Sequence, residues 1–312
     1  MSKKNFIIID GNSVLHRGFH AMPPLTNKKG EPIGAVYGFV LALFKSVEDF
    51  RPAHIAVCFD TKAPTFRHRE FGDYKAQRPE TPSDLVPQFE IVKRLLADMG
   101  VAVFAIDGFE ADDLLSSVIR AAKEDPKSEA TDFFVLTGDH DSLQLVDGCV
   151  KTYIITRGVK NAVMYDAAKV KEVFGVEPLQ IPDFKALAGD SSDNIPGAPG
   201  IGPKAAVEIM KNYASLEDLY AAAERAPESF SPIGNGSGER IKNILLENKD
   251  KILGFKKLAT MVDNAPVGSV FEVCAFGDFA GQKPKDALTG LGLASLAKRL
   301  PLAATSRNGT LF

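Results

Sequence analysis

Cysteine is scarce in this 312-residue chain: Cys58, Cys149 and Cys274 are the full complement, and none has CxxC spacing. That excludes a disulfide framework and reads as reduced thiols in a cytosolic protein. Long apolar runs are missing too. The opening Met1-Ser-Lys-Lys-Asn-Phe-Ile-Ile-Ile-Asp10 meets an acid after four apolar residues, too short a stretch for a signal-peptide core. No run approaches a membrane span, and there is no internal repeat or low-complexity tract. What is left is 45% hydrophobic and 25% charged, the make-up of an ordinary soluble globular protein. The length fits one large domain or a domain with a smaller partner. A net charge of −3 argues against a nucleic-acid partner until the positions of the acids are considered.

The acids fall at the ends of apolar segments. Gly108-Phe-Glu-Ala-Asp-Asp-Leu-Leu115 lies between a strand-like run, 101–106, and a helix-like run, 114–122. It places Glu110, Asp112 and Asp113 in a helix's first turn. Acids there cap free N–H groups and complement the helix dipole, which is sufficient reason for them. Three carboxylates this close also repel, by a few kcal/mol per pair at an effective dielectric near ~20, and a divalent cation would cancel that cost. The pattern recurs. Phe6-Ile-Ile-Ile9 runs into Asp10, Ile55-Ala-Val-Cys-Phe59 into Asp60, and Phe133-Phe-Val-Leu136 into Thr137-Gly-Asp-His-Asp141. A carboxylate there is either turn chemistry or a ligand group where open parallel sheets hold their ligands.

Two further segments carry chemistry. Between residues 62 and 78, Lys62, Arg67, Arg69, Lys75 and Arg78 outnumber Glu70 and Asp73, with Phe66, Phe71 and Tyr74 interleaved. This is either a solvated loop or a mobile cover in which cations neutralise phosphates and aromatics stack on bases. Later, Phe184-Lys-Ala-Leu-Ala-Gly-Asp-Ser-Ser-Asp193 sets Asp190 and Asp193 at a helix's C-terminal end, disfavoured there unless something cationic meets them. The glycine-rich turn 194–206 follows. Gly200 and Gly202 permit close approach of a ligand, and the next helix offers N–H groups to a phosphate beside Lys204; the plain alternative is a helix–helix turn.

Asp10, Asp60, Glu110, Asp112, Asp113, Asp139, Asp141, Asp190 and Asp193 come from five segments, without nearby His or Cys partners. Oxygen ligands alone indicate Mg²⁺ or Mn²⁺ rather than zinc. Setting these nine aside turns the formal balance from −3 to +6, so a basic body surrounds an acidic pit. Two metals suit in-line hydrolysis of a phosphodiester without a covalent nucleophile, with Arg67 and Lys75 as candidates for meeting charge developing on the phosphate. Strands alternate with helices to about residue 165 and helices dominate afterwards. The fold class is therefore α/β, a mostly parallel central sheet flanked by helices, followed by a helical region. The division is 1–176, including the basic segment at about 62–90, and 177–312.

The blocks IIIDGNSVLHRGFHA, FDTKAPTFRHREFGDYKAQRP, GFEADD, LTGDHDSLQLV and GDSSDNIPGAPGIGPKAA stand in one order over roughly residues 5 to 300. They resemble the signature blocks of the bacterial 5′-nucleases, the 5′→3′ exonuclease and flap endonuclease domains best known at the front of DNA polymerase I. The resemblance implies a helical arch, and a helix–three-turn–helix DNA clamp at about 184–213. It implies Mg²⁺-dependent cutting of 5′ flaps, duplex 5′ ends and RNA–DNA primer ends, leaving 5′-phosphates. By motif, Asp10, Asp60, Glu110, Asp112 and Asp139 would serve a first metal, and Asp113, Asp141, Asp190 and Asp193 a second. Arg17, Phe66, Arg67, Tyr74, Lys75 and Arg78 would line the approach of the DNA. Gly200, Gly202 and Lys204 would grip its backbone, where family members also bind K⁺ through main-chain carbonyls.

His140 stands where the family commonly has lysine, and no polymerase region follows. An excised domain and a free-standing bacterial nuclease, cytoplasmic, nucleoid-associated and monomeric, therefore both stay open. The terminal Asn-Gly-Thr-Leu-Phe312 resembles the short peptides that bind sliding clamps. The competing readings are a catalytically weak DNA-binding protein of the same fold and a PIN-type RNA nuclease. The nine costly acids count against the first, and the second acid pair with the glycine-rich turn against the other.

Overall fold

In the computed structural model, which describes residues 4–156, 162–233, 238–277, 279 and 281–301, six apolar segments form one sheet. They are β1 (Lys4–Asp10), β2 (His54–Cys58), β3 (Ala102–Phe104), β4 (Thr131–Thr137), β5 (Val150–Ile155) and β6 (Ala162–Tyr165). The order is β3-β2-β1-β4-β5-β6, with the first five strands parallel and β6 antiparallel to β5. β3 is only three residues long, shorter than the run 101–106 suggests, and as an edge strand it pairs only β2.

Alternate residues of β1 feed opposite faces. Ile7 and Ile9 pack with Ile55 and Val57 beneath α1 (Gly11–Ala21), α2 (Gly34–Phe50) and α4 (Val86–Asp98); α3 (Phe66–Glu70) is a single turn in the loop between. Phe6 and Ile8 pack on the other face with Ala56 and Cys58 against Leu114, Leu115 and Val118 of α5 (Ala111–Glu124). Burial on both faces explains why β1 reads as an unbroken apolar run instead of an alternating one.

The chain leaves β1 toward β2 and β3, then returns to place β4 on β1's other side. That reversal opens a crevice beyond the carboxyl ends of β1 and β4, the ligand position in open α/β sheets. Asp10 closes β1, and Asp139 lies two residues past β4.

A second apolar core holds the helical half. It joins Leu143, Ile154 and Tyr165 at the sheet's far edge to α6 (Ala167–Phe174), α7 (Ile181–Ala188), α8 (Pro203–Asn212), α9 (Leu216–Arg225), α10 (Gly238–Glu247) and α11 (Lys249–Ala259). The apolar spacing is helical over 241–258, and the structure divides that stretch into two helices. At Asn248 both the backbone N–H and Nδ2 donate to the Ile244 carbonyl, at 3.1 and 2.8 Å, and its φ of −114° leaves the helical range. The chain then returns to the sheet domain through α12 (Val270–Val273), α13 (Gln282–Gly290) and α14 (Ala294–Ala297). The tail proposed for clamp binding, Arg307 to Phe312, lies outside the described residues.

Helices α1 and α2 cross backbone to backbone at glycine. A Cβ on Gly38 would lie 2.7 Å from the Gly18 Cα, and one on Gly18 2.8 Å from the Ala35 carbonyl oxygen. Gly38→Ala should therefore destabilise the fold by about 1–3 kcal/mol despite alanine's better helix propensity. The urea midpoint measures this, and an unchanged midpoint contradicts the crossing as described.

Candidate metal and nucleic-acid site

The acids at the sheet's carboxyl edge are held by the backbone they terminate. Asp10 caps α1, accepting from the Ser13 N–H at 3.0 Å, and its other oxygen accepts from the Thr137 hydroxyl at 2.7 Å. Asp60, just beyond β2, accepts from the first N–H of α5, Ala111, at 2.6 Å. Its own N–H donates to Asn12 Oδ1. Glu110 is the N-cap of α5, with Asp112 in the first turn. Asp139 follows β4 and accepts from the Asp141 N–H at 3.0 Å. Capping and ligand geometry are thus properties of the same side chains. Asp10, Asp60, Glu110, Asp112 and Asp139 line one cavity of about 1010 Å³, with His16, Arg17, His20, Lys75 and Arg78 on its walls.

The electrostatics mark this edge as under strain without a cation. Burial, with Asp60 and Asp139 nearby, pushes the Asp10 carboxyl up to about 7. Burial, then Asp10 and Asp139, drives Asp112 well above the carboxylate range. Asp112 Oδ1 is buried and has no hydrogen-bond partner among the described residues. An orphaned carboxylate oxygen facing other carboxylates is what a hard cation would satisfy. Asp139 goes the other way. Burial alone would raise it, but the Asp141 N–H and Lys185 hold it below its ordinary value. Glu110 is likewise lowered, burial being outweighed by Lys75 and Arg67.

A second cluster adjoins the first. One oxygen each from Asp141, Asp190 and Asp193 lie within 4.8 Å of one another. The turn after α7 positions two of them through a small antiparallel bridge, Asp190 N–H to Ile195 O and Ile195 N–H to Asp190 O, both 2.8 Å. Glycine is required there. A Cβ on Gly197, at φ +73°, would sit 2.4 Å from the Gly189 nitrogen. The turn then enters α8, with Gly202 as N-cap and Lys204 exposed in the first turn. The guanidinium of Arg240, which sequence reasoning did not single out, lies against Gly200.

Four expectations need correction. Asp113 is fully buried and its oxygens are taken. They accept from Arg67 Nη1 and Nη2 at 2.8 Å each, from the Glu110 N–H at 3.1 Å and from the Val262 N–H at 3.0 Å. It is a structural acid with no oxygen left for a metal. Arg67 is its partner and is itself buried, with Nε and Nη2 also donating to the Leu258 and Thr260 carbonyls and Nη1 3.7 Å from Glu110 Oε2, so it does not face a phosphate. Tyr74 is buried and donates toward Glu110 and Asp193, so it presents no ring for base stacking. Phe66 is half-buried between Arg67 and Lys257, at 4.6 and 5.9 Å from its ring centre, and lines a different cleft.

The segment read as a mobile arch is therefore one turn of helix and a series of turns pinned onto the site. Lys75 and Arg78 do reach the cavity, ion-paired at 2.8 Å to Glu110 and Asp193. Arg17 lines it while donating to the Thr156 and Gly138 carbonyls. His140 packs against Tyr165 and Phe174. Sequence reasoning also missed Lys185, whose ammonium bridges Asp141 and Asp190. It is 44 positions from Asp141, a distance only the fold closes.

Two family models match the chain: the 5′-3′ exonuclease N-terminal resolvase-like domain over residues 5–175, and the 5′-3′ exonuclease C-terminal SAM fold over residues 176–282. Among curated relatives, DNA polymerase I of Bacillus subtilis is 36% identical over 298 residues, 96% of this chain and 32% of the relative. DNA polymerase I of Pseudomonas aeruginosa is 39% identical over 264 residues, 84% of this chain and 27% of the relative. The chain thus spans about a third of the length of the curated relatives it matches. Of solved structures, the T5 5′-exonuclease with bound zinc superposes at a TM-score of 0.64 with 20% identity, covering 95% of this chain and 99% of that one. The catalytic core of Rad2 with a DNA substrate gives 0.56 and 17%, covering 93% and 88%. At these identities the two structures share the fold.

Removing the guanidinium while leaving Asp113 buried should cost about 3–5 kcal/mol. Arg67→Met is expected to lower the urea midpoint accordingly, and Arg67→Met with Asp113→Leu to recover part of the loss. If the single variant is as stable as the parent, the buried pair is misassigned.

The pH response has a definite sign. A carboxyl whose folded pKa lies above its unfolded value stabilises the fold at low pH, and that contribution fades as pH rises through the folded value. For Asp10 the window runs from 3.8 to about 7, and for Asp141, also raised by burial, to about 8. A divalent cation favours the ionised forms. Saturating Ca²⁺ should therefore raise Tm more at pH 8 than at pH 5 in differential scanning fluorimetry. An equal rise at both pH values contradicts the assignment.

Proposed function

The chain belongs to the 5′-3′ exonuclease family, and we propose that it hydrolyses phosphodiester bonds at 5′ flaps and 5′ ends of duplex DNA, RNA–DNA primer ends included, leaving 5′-phosphates. The observation that carries this is the carboxylate-lined cavity, where the buried Asp112 Oδ1 has no hydrogen-bond partner among the described residues and Lys75 and Arg78 stand in the wall. Asp10, Asp60, Glu110, Asp112 and Asp139 would hold a first Mg²⁺ or Mn²⁺ directly or through water, and Asp141, Asp190 and Asp193 a second. Such ions, when bound, lower the pKa of water and offset negative charge at a reacting phosphate.

The chain's own groups do the positioning. The acidic floor repels a bare phosphodiester, so the backbone is admitted only where cations line the wall. Lys75 and Arg78 supply that charge, and Arg17 adds its guanidinium from α1. Lys75 adopts φ +56°, a costly conformation for a lysine that is held by its N–H donating to the Asp193 carbonyl at 3.1 Å. That ties the direction of its ammonium to the second acid cluster. Further along the duplex, the first N–H groups of α8, Lys204 and the turn at Gly200 and Gly202 would grip the backbone, with K⁺ at the turn's carbonyls. The reading places the protein with DNA in the bacterial cytoplasm. Among the described residues no helix is long and apolar enough to cross a membrane.

Incubating labelled 5′-flap duplex, RNA hairpin and single-stranded DNA with Mg²⁺ tests this. The flap should be cut, and EDTA should abolish the cutting. Asp112→Ala should keep most of the DNA affinity and lose about 10²-fold or more of the cleavage rate, since it removes a metal ligand. Cleavage by Asp112→Ala at the parental rate, or preference for the RNA hairpin, would sink the reading.

A further inference from the structure

The two acid clusters balance their charge in different ways. In the first, Glu110 has Lys75, but one buried Asp112 oxygen has no partner among the described residues. In the second, each acid carries a fixed protein donor. Arg78 Nη2 lies 2.8 Å from Asp193 Oδ1, and the Tyr74 hydroxyl donates to Asp193 Oδ2 at 3.0 Å. Lys185 Nζ lies 2.5 Å from Asp190 Oδ2 and is also ion-paired to Asp141 Oδ1. The Lys185 side chain is only 13% exposed. Its ammonium thus contacts two of the three acids whose oxygens lie within 4.8 Å of one another.

We infer that Lys185 is a tethered counter-ion that fills the second cation position until a divalent ion displaces it. This rests on the proposed two-cation reading of the site. Lys185 Nζ already occupies Asp141 Oδ1 and Asp190 Oδ2, carboxylates a divalent ion in this cluster would need, so ammonium and ion compete for the same acids. The lysine stem has four rotatable carbons, so its ammonium can leave without a backbone change. Bound, it satisfies Asp141 and Asp190 and keeps the cluster folded without metal. It thereby sets the affinities apart: the first cluster, uncompensated, takes its ion at low concentration, and the second fills only against the lysine.

Mn²⁺ titration followed by electron paramagnetic resonance, without nucleic acid, reads this directly. The parent should show a tight and a weak class of site. Lys185→Met should tighten the weak class by about tenfold or more, the factor that 1.4 kcal/mol of relieved competition gives. Asp190→Asn should abolish that class. If Lys185→Met does not fold, Lys185→Gln carries the same expectation. A weak class unchanged or weakened by losing the lysine overturns the inference, as does one that survives Asp190→Asn.

A second measurement separates displacement from the lysine's mere field. Reductive methylation of Lys185, read by mass spectrometry, should be slow in the metal-free protein and rise when Ca²⁺ saturates both sites. Equal labelling in the two states overturns the inference. Flap cleavage with unshifted affinities removes this inference and leaves the nuclease reading standing. Shifted affinities without flap cleavage do the reverse.

Discussion

Eight carboxylates crowd the carboxyl edge of one parallel sheet and the turn beside it, and their mutual repulsion is the constraint the rest of the structure answers. Isolated, such a set would not stay ionised at low effective dielectric. The fold meets it in two ways. Backbone N–H groups at the starts of α1 and α5 take oxygens of Asp10 and Asp60. Cationic side chains lock onto Glu110, Asp141, Asp190 and Asp193. What is left over is clearest at Asp112, whose buried Oδ1 has no partner among the described residues, while burial also holds Asp10 and Asp141 above the ordinary carboxylate value.

The same demand explains the loop over residues 62–85. Its basic residues are spent largely on the protein's own acids: Arg67 on Asp113, Lys75 on Glu110, Arg78 on Asp193. Pinning it takes a residue at φ +56° and a capping box at Thr65 and His68. In exchange the loop links the start of α5 to the turn after α7, so the two acid clusters come from separate segments but are fixed to one another. Asn194, also at positive φ, donates to the Asp73 carbonyl at 2.7 Å and fastens the same joint from the other side.

The helical half is fastened equally firmly to the sheet. Its core includes Leu143 from the turn after β4, Ile154 of β5 and Tyr165 of β6 as well as α7 and α8. The glycine-rich turn, Lys204 and Arg240 are therefore held at a set position relative to the carboxylate cavity.

The sequence by itself determined the parallel sheet, the helices that cover it and the positions of the acids, because these rest on local rules. Apolar runs make strands, helical spacing makes helices, and an acid following a strand lands at the ligand-binding edge of the sheet. Ala167–Phe174 was legible to the residue, and Asp10, Asp60, Asp112 and Asp139 were legible as a group. Only the tertiary structure decided which charges would be consumed internally. Asp112 and Asp113 are neighbours of one type, yet a helix turns successive residues about 100° apart, so one faces the cavity and the other the buried Arg67. No local pattern pairs Arg67 with Asp113 or Lys185 with Asp141 across 46 and 44 positions. Those pairings exist because the folded chain brings the groups together where solvent cannot separate them.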